Sequence, residues 1–344
     1  MPADDANFLA GKGRWRIARR VAWHRIEVAL SGQAALERAS IDPAARRAVW
    51  FHDEAPYLGD ALLDLAPRSL LVEHGIALDL VVPPALAGIF RGDRWCRSVT
   101  TVDAPADLAG AEFALVDSRS RRALASKLAL APRLPWVSVR EDYLVYDFQR
   151  GLLSTRRFAE LLGVRLGDED ERRHARQKFE LLDRPASDEA ASGRVALTLG
   201  GVQPWRTYRR WPDVARALAA SGHRRFVLLG SDNGTALARE LRDAFAASDA
   251  DVLDLVGRTD IAGTRAAIAA SRALLCTDGG LMHLGCTTRT PMLALFDATS
   301  LPVWRLPPDF DGLTLVSTNA DVNGVETGDV VDAALTLLQA RTGA

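Results

Sequence analysis

The sequence predicts an α/β fold in which parallel sheets are covered by helices on both faces. Short apolar runs of strand length alternate with helical stretches almost from end to end of the chain. A polar stretch at residues 167–193, acidic at its start and poor in apolar residues, divides these runs into two sets. We therefore expect two doubly wound domains, residues 1–166 and 194–344, joined by this connection, which begins with a helix.

Length and composition agree with a globular protein of two domains. The chain has 344 residues, of which 48% are hydrophobic and 25% are charged, which is enough for two separate cores. Its net charge of −1 argues against nucleic acid as the main partner. The sequence has no run of about 18 apolar residues, so we expect no membrane-spanning segment. Its first residues do not form a basic region followed by an apolar region, so we expect no cleavable signal peptide.

The three cysteines, Cys96, Cys276 and Cys286, are widely spaced and lack the spacing of metal ligands. An odd number of such cysteines favours reduced core thiols over a disulfide framework. We therefore expect a cytoplasmic protein.

The strand candidates are short apolar runs bounded by glycine or polar residues. In the first domain they are residues 48–51, 78–82, 99–102, 113–116 and 136–139. In the second they are residues 195–199, 225–229, 252–256, 273–276 and 291–296. No short internal repeat is visible, which argues against a solenoid.

Two helices flank this alternation. The first spans residues 14–30, and its apolar stripe consists of Trp15, Ala18, Ala22, Ile26 and Leu30. Arginines surround the stripe, and no acid occurs between Gly11 and Arg25. The helix can lie on the inner face of an anionic membrane, or it can pack against its own domain, which is the commoner case; the sequence leaves both alternatives open. Residues 325–338 are predicted to form the closing helix.

The segment 276–285 carries the strongest functional signal. It reads Cys-Thr-Asp-Gly-Gly-Leu-Met-His-Leu-Gly and lies between two predicted strands. A glycine pair after a parallel strand lets backbone amides approach an anion, and the start of the next helix carries partial positive charge. The segment therefore predicts a diphosphate-binding turn, with a turn that merely connects two strands as the alternative.

This strand, Asp-Gly-Gly-Leu-x-His turn, short helix and apolar strand ending in Phe296 resemble the signature of glycosyltransferase family 9, the bacterial heptosyltransferases. The resemblance implies the GT-B architecture, in which the last helix often returns to the first domain. It also implies a nucleotide-diphosphate sugar donor, ADP-heptose above all, and a glycan or glycolipid acceptor of the cell envelope. The implied reaction is transfer with inversion that needs no metal and no cofactor.

The same resemblance assigns donor contacts to the carboxyl ends of the second-domain strands. Arg209, before Trp211-Pro212, stands where the family usually has a phosphate-binding lysine, and Arg206 or Arg210 can take that role instead. Asp232 matches the acid that contacts the ribose, with an N-cap of the next helix as the alternative. The turn after the 273–276 strand completes the pocket with Asp278, Gly279, Gly280, Leu281 and His283.

Two of these turn residues have further alternatives. Many relatives carry Thr at the position of Gly279, so one hydroxyl contact to phosphate is replaced by a backbone amide or water. His283 either donates to a phosphate oxygen or is a core histidine.

Transfer with inversion needs a carboxylate that takes the proton of the acceptor hydroxyl. In the first domain, Gly59-Asp60 before an apolar helix resembles the family's Gly-Asp at the first strand-to-helix turn, so Asp60 is the predicted base. Asp53, Glu54 and Asp64 are alternatives, and a carboxylate that only stabilises the helix start is another. At the level of function, the alternatives are a catalytically weak nucleotide-sugar or glycan-binding protein and a nucleotide-sugar epimerase.

Overall fold

The computed structural model describes residues 14–52, 56–104, 107–140, 149–182, 187–246 and 248–340. The chain divides into two compact units, Met1–Leu182 and Asp183–Ala344. The border between them falls within the stretch 167–193 that the sequence marks as a connection. Each unit contains one sheet, and all pairings between its strands are parallel.

The first unit alternates strands and helices. Its strands are β1 (Arg47–Phe51), β2 (Ala77–Val81), β3 (Ser98–Thr100), β4 (Phe113–Val116) and β5 (Trp136–Ser138). Its helices are α1 (Arg14–Leu30), α2 (Leu58–Asp64), α3 (Arg68–Glu73), α4 (Pro84–Phe90), α5 (Arg121–Leu130), α6 (Arg150–Leu162) and α7 (Asp168–Ala175). The strands are ordered β3-β2-β1-β4-β5 in the sheet.

Both faces of this sheet are buried, because alternate side chains of a strand point to opposite sides. Val49 and Phe51 of β1 share a core cluster with Val28 of α1. On the other face, Trp50 packs against Phe158 of α6, with ring centroids 5.0 Å apart. Burial on both faces explains why the strands appear in the sequence as continuous apolar runs.

The second unit repeats this arrangement. Its strands are β6 (Val195–Thr198), β7 (Arg225–Leu229), β8 (Asp251–Asp254), β9 (Ala273–Thr277), β10 (Met292–Phe296) and β11 (Gly312–Val316). Its helices are α8 (Trp211–Ala220), α9 (Thr235–Phe245), α10 (Ile261–Ala270), α11 (Gly280–Gly285), α12 (Pro302–Arg305) and α13 (Thr327–Gln339). The strands are ordered β11-β10-β9-β6-β7-β8.

One face of the second sheet packs against α8, α9 and α13. Leu197 of β6, Leu295 of β10, Leu218 of α8 and Val330 of α13 belong to a single core cluster. On the other face, α11 lies so close to β9 that a Cβ at Gly285 would be 2.5 Å from Cδ2 of Leu274. Helix α13, the predicted closing helix, thus packs on the sheet of the second unit.

All ten predicted strands are present, each within a few residues of its expected bounds. The sequence pattern does not predict β11, which pairs only with β10 and is incompletely buried. A half-exposed edge strand carries a weak apolar signal, because only part of its surface is covered. All three cysteines are free, as expected, with Cys276 and Cys286 buried.

Helix α1 has the predicted bounds, and of the two alternatives for its apolar stripe, packing against the described residues of its own domain is not observed. The stripe formed by Trp15, Ala18, Ala22, Ile26 and Leu30 is exposed rather than packed on the first unit. The helix docks through a different face, where Val28 is buried in the core. Among the helices of the described residues, none has both the length and the apolar character needed to cross a membrane.

Candidate functional site

The second sheet changes its direction of growth between β6 and β9. From β6 the chain adds β7 and β8 on one side and then adds β9, β10 and β11 on the other. In open parallel sheets, the loops beyond the carboxyl ends of strands at such a switch point are the usual place for a ligand. The predicted donor residues lie in the loops after β6 and β7 and in the turn after β9.

Glycines let the loops after β6 and β7 approach each other. Gly200 has a φ of +80°, and a Cβ at this position would lie 2.5 Å from Oδ1 of Asn233. A Cβ at Gly230 would lie 2.4 Å from the carbonyl oxygen of Leu199. Asn233 Nδ2 donates to the carbonyl oxygen of Gly201 at 3.0 Å, so the two loops form one packed unit.

Arg206 is the cation that the structure places at the switch point. It ends the short 3₁₀ helix Pro204–Arg206, and its Nη1 lies 3.3 Å from Oδ2 of Asp278. Its Nε lies 3.6 Å from Oδ2 of Asp297, the residue after β10. Its Nη2 donates to Oγ of Ser300 at 3.2 Å. One guanidinium therefore joins the loops that follow β6, β9 and β10.

The two carboxylates in this cluster are almost fully buried. Asp278 is 4% exposed and Asp297 is 1% exposed. Among the described residues, Oδ2 of each carboxylate and Nε of Arg206 have ion-pair contacts but no well-directed hydrogen-bond partner. Buried polar atoms are normally hydrogen-bonded, so these atoms have unused bonding capacity. Arg305 of α12 adds a second cation, with Nε 4.0 Å from Oδ2 of Asp278.

The glycine turn after Asp278 leaves room beside the backbone. Gly279 is fully extended, and the nearest atom to a Cβ built there is the carbonyl oxygen of Thr277, at 3.9 Å. Gly280 begins α11 and is half-buried, as is Leu281. His283 lies in the same helix and is 2% exposed. Its backbone N–H donates to the carbonyl oxygen of Gly279 at 3.2 Å. The structure brings this turn next to Arg206, one of the two alternatives to Arg209.

Arg209 and Arg210 lie on a different side of the loop. Arg209 is exposed, and its backbone N–H donates to Oδ1 of Asn323 at 2.8 Å. Arg210 pairs with Glu326 at 3.0 Å and donates to the carbonyl oxygen of Asn323. Both residues therefore hold the loop against the 323–326 segment, while Arg206 contacts Asp278. Of the three arginines considered from the sequence, Arg206 is the one that the structure joins to the glycine turn.

Asp232 lies at the end of β7 and is exposed. It begins the 3₁₀ helix Asp232–Gly234, and the N-cap of α9 is Gly234, without a side-chain cap bond. The alternative role of Asp232 as the N-cap of the following helix is therefore wrong. Its Oδ1 lies 2.4 Å from the position that a Cβ of Gly257 would occupy, and Gly257 has a φ of +68°. Asp232 is thus placed over the loop after β8.

In the first unit, Asp60 lies in the first turn of α2 with its side chain 25% exposed. Oδ1 of Asp60 accepts a hydrogen bond from Nη1 of Arg150 at 2.7 Å. Arg150 also holds Asp64, with its Nε 2.5 Å from Oδ1 of that carboxylate. Asp64 is 2% exposed, so Asp60 is the more accessible of the two. The other two candidates, Asp53 and Glu54, lie outside the described residues.

Behind Asp64 lies a buried cluster of charged residues at the carboxyl edge of the first sheet. His52 follows β1 and Asp117 follows β4, and their Nδ1 and Oδ2 atoms are 2.7 Å apart. Arg140 bridges two carboxylates, with Nη2 2.8 Å from Asp117 and Nη1 3.3 Å from Asp64. Trp50 Nε1 donates to Oδ1 of Asp117 at 2.9 Å. The cluster therefore ties the end of α2 to the carboxyl ends of β1, β4 and β5.

Burial and charge act in opposite directions on His52 and Asp117. Burial opposes the charged form of His52, but the neighbouring Asp117 carboxylate outweighs it and raises the pKa of the imidazole. Burial likewise opposes ionisation of Asp117, but His52 and Arg140 lower its pKa. The two residues therefore favour a charged pair inside the first unit.

Within the described parts of the chain, no group of three or more His, Cys, Asp or Glu side chains is placed to hold a metal ion. The cations Arg206 and Arg305 are the groups of the second unit that face buried carboxylates at the switch point.

Sequence patterns did not reveal several residues of these clusters. Five of them were not predicted from the sequence as site residues: His52, Asp117, Arg150, Asp297 and Arg305. Asp297 and Asp117 each come directly after a buried strand, as Asp278 does, so the rule that located Asp278 also applies to them. Arg150 and Arg305 lie in helices and carry no comparable local signal.

Comparison with known proteins relates this arrangement to one family. The family model described as glycosyltransferase family 9 (heptosyltransferase) matches residues 167–327. No curated protein sequence matches the chain significantly.

Three solved structures share the fold over most of their length. The glycosyl transferase family 9 structure from Veillonella parvula DSM 2008 has a TM-score of 0.66 at 14% identity, covering 88% of this chain and 100% of that one. E. coli ADP-heptose LPS heptosyltransferase II has a TM-score of 0.60 at 16% identity, covering 86% of this chain and 99% of that one. E. coli heptosyltransferase WaaC with ADP has a TM-score of 0.63 at 14% identity, covering 84% of this chain and 99% of that one.

Because these identities are low, the solved structures establish the fold alone, and they confirm the predicted α/β class of the GT-B type. The family match covers the loops that carry Arg206, Asp278 and Asp297. The resemblance drawn from the sequence is therefore confirmed, since residues 167–327 of this chain match the model of glycosyltransferase family 9.

Proposed function

We propose that the protein is a cytoplasmic glycosyltransferase that moves a sugar from a nucleotide-diphosphate donor to a glycan acceptor of the bacterial cell envelope. The donor we propose is of the ADP-heptose type, because two of the solved structures with this fold are E. coli heptosyltransferases and one of them contains ADP. The transfer we propose inverts the anomeric centre and uses no metal ion.

The observation that supports this proposal best is the cluster of Arg206, Asp278 and Asp297, in which one guanidinium lies beside two carboxylates. A guanidinium forms strong, charge-assisted hydrogen bonds with phosphate. Asp278 and Asp297 are almost fully buried, and their ion pairs hold the guanidinium at the loops after β9 and β10. A sugar diphosphate fits this arrangement, because its phosphates can bond to the arginine, whose side chain is 24% exposed.

For the reaction itself, we propose Asp60 as the general base. The acceptor oxygen forms a bond to the anomeric carbon while the bond from that carbon to the donor phosphate breaks. The proton of the acceptor hydroxyl passes to Asp60, and the nucleotide diphosphate leaves with the electron pair of the broken bond. Arg150 holds Asp60 by its 2.7 Å hydrogen bond, which fixes the direction of the carboxylate. The charge of the leaving diphosphate is stabilised by Arg206.

A panel of nucleotide-diphosphate sugars and free nucleotides, tested by thermal shift, is the first experiment. A ligand at 100 times its dissociation constant adds about 2.7 kcal/mol to the free energy of unfolding, which is readily measured. We expect stabilisation by ADP-containing ligands. No stabilisation by any nucleotide-diphosphate sugar would contradict the proposal.

A catalytically weak binding protein of the same fold is the second candidate, favoured by the glycine at position 279, which offers no hydroxyl to a phosphate. Release of free nucleotide diphosphate separates the two functions. A transferase releases it faster when a suitable acceptor is added, whereas a binding protein is stabilised by the donor without releasing it.

A further inference from the structure

Helix α1 presents an apolar face to solvent. Its exposed apolar side chains are large: Trp15 is 70% exposed, Trp23 56%, Ile26 48% and Leu30 82%. With Ala18 and Ala22, they recur at spacings of three or four residues, which places them along one side of the helix. A continuous apolar stripe of this kind on a protein surface usually marks an interaction site.

The opposite side of α1 fixes the helix on the first unit. Val28 is buried in the core cluster with Val49 and Phe51, and Val21 and His24 are half-buried. Oε2 of Glu27 accepts a hydrogen bond from the backbone N–H of Arg121 in α5. The orientation of the helix is therefore set by its own contacts, and the outward stripe is not buried by any described residue.

The charge of α1 indicates the partner. The helix contains five arginines and one glutamate, a net charge of +4, whereas the whole chain carries −1. The single acid, Glu27, is the residue that bonds to α5, so it is held against the first unit. Arg19, Arg20 and Arg25 are exposed, and the guanidinium of Arg19 lies 5.2 Å from the centre of the Trp15 ring.

We propose that α1 docks the protein on an anionic lipid surface and lies in the plane of the interface. Tryptophan and long apolar side chains enter the boundary between headgroups and acyl chains, and arginines beside them contact the anionic headgroups. A protein partner with an apolar groove would not require arginines within and around the stripe. The proposal does not depend on the proposed transferase activity.

The test is co-sedimentation of the full-length protein with vesicles. Vesicles of equal parts phosphatidylglycerol and phosphatidylcholine are compared with vesicles of phosphatidylcholine alone. We expect binding to the first kind and little to the second, with the binding weakened by salt. Each arginine near an anionic surface contributes roughly fivefold to the binding constant, so replacing two of them by glutamate should weaken binding by at least roughly 25-fold.

The double variant Arg19→Glu with Arg20→Glu measures this charge effect. Its control is Arg172→Glu with Arg239→Glu, which makes the same change in net charge at exposed positions of α7 and α9. We expect the control to bind as the unchanged protein does. A second variant, Trp15→Ala with Trp23→Ala, should bind at least roughly tenfold more weakly without any change in charge.

Two results would overturn the proposal. One is that the unchanged protein sediments equally with both kinds of vesicle, or that it sediments with neither kind. The other is a concentration-dependent dimer that the Trp15→Ala, Trp23→Ala variant abolishes, because the stripe would then be covered by a second copy of the chain. Circular dichroism of every variant confirms that the fold is retained before binding is compared.

Discussion

At the residue scale, the most informative side chain is Arg206. Its guanidinium contacts Asp278, Asp297 and Ser300, and these residues follow two neighbouring strands of the second sheet. The Trp-Pro motif in the sequence directs attention to Arg209, which lies three residues further along. In an irregular loop, side chains three residues apart can point in different directions. The Trp-Pro motif therefore identifies the loop correctly but does not identify which of its arginines contacts Asp278.

We expect Arg206→Ala to weaken binding of the donor by about 1.5–3 kcal/mol, or roughly tenfold to 150-fold, the range for a hydrogen bond to a charged group. Arg209→Ala is the matched control, because it removes the same charge from an exposed position of the same loop. Isothermal titration with the best ligand of the nucleotide panel gives both dissociation constants. A loss of affinity in Arg209→Ala but not in Arg206→Ala would show that the motif identifies the cation correctly.

Asp60→Asn tests the proposed base, because it keeps the size of the side chain and removes the carboxylate. The turnover rate should fall by about 10²–10⁴ while donor affinity stays unchanged. Asp168→Asn is a suitable control, since Asp168 is another acid in the first turn of a helix, α7. Both acids interact with a helix dipole, but Asp60→Asn should lose somewhat more stability than Asp168→Asn, because it also weakens the ion pair with Arg150. Full turnover in Asp60→Asn would rule out Asp60 as the base.

The buried pair of His52 and Asp117 predicts a pH dependence of stability. The folded state raises the pKa of His52 above its usual value near 6.5. Protonated His52 therefore stabilises the folded state fully below about pH 6.5, and this stabilisation is lost as the pH rises through the pKa that His52 has in the folded state. The stability difference between the unchanged protein and His52→Gln should therefore decrease above about pH 6.5. Its slope should not exceed about 1.36 kcal/mol per pH unit, the value for one proton.

Urea unfolding of both proteins between about pH 6 and 9 measures this difference. Burial lowers the pKa of Lys178 to about 7, which acts in the opposite direction over the same range, but this effect is common to both proteins and cancels. His74→Gln, at an exposed position of the first unit, is the control. Parallel stability curves for the unchanged protein and His52→Gln would contradict the assignment of a charged pair.

At the element scale, the arrangement of the site depends on how closely two loops can approach. The loops after β6 and β7 are packed through Gly200, Gly230 and Gly234, each of which has backbone or side-chain atoms of the other loop where a Cβ would be. The loop after β6 also carries Arg206. Small residues at these positions therefore contribute to the placement of the cation as well as to the fold.

Gly230→Ala should lower the free energy of unfolding by about 1–3 kcal/mol, the usual effect of overpacking, because its Cβ would meet the carbonyl oxygen of Leu199 at 2.4 Å. Gly279→Ala should change it by less than about 0.5 kcal/mol, because the backbone there is extended and the nearest atom is 3.9 Å away. Chemical denaturation compares the two variants directly. Equal effects would show that the loops adapt more readily than the packing indicates.

At the scale of the whole molecule, the two units place charge at corresponding positions. An acid directly follows a central strand in each sheet: Asp117 follows β4 in the first unit, and Asp278 follows β9 in the second, where Asp297 also follows the neighbouring β10. In the first unit, His52 and Arg140 pair with Asp117. In the described parts of both units, buried Oδ2 atoms of these acids have an ion-pair contact but no well-directed hydrogen bond. The arginine is more accessible in the second unit, where the side chain of Arg206 is 24% exposed, than in the first, where that of Arg140 is 14% exposed.

The sequence by itself determined the fold class, the two sets of parallel strands and the glycine turn at Asp278. These features depend on local patterns, since strands buried on both faces are continuous apolar runs and turns between them require glycine. It also located the loops that carry the candidate donor residues, because these loops follow the strands directly.

Only the tertiary structure decided which side chains meet. Arg150 is 90 residues from Asp60, and Arg206 is 91 residues from Asp297, and no local pattern encodes such pairs. The same is true of helix α1, whose two sides are both apolar. Periodicity revealed the stripe of Trp15, Ile26 and Leu30, but the sheet packs against the side that carries Val28. A helix with two apolar sides can bury either one, and the shape and composition of the surface on which it packs determine which side is buried.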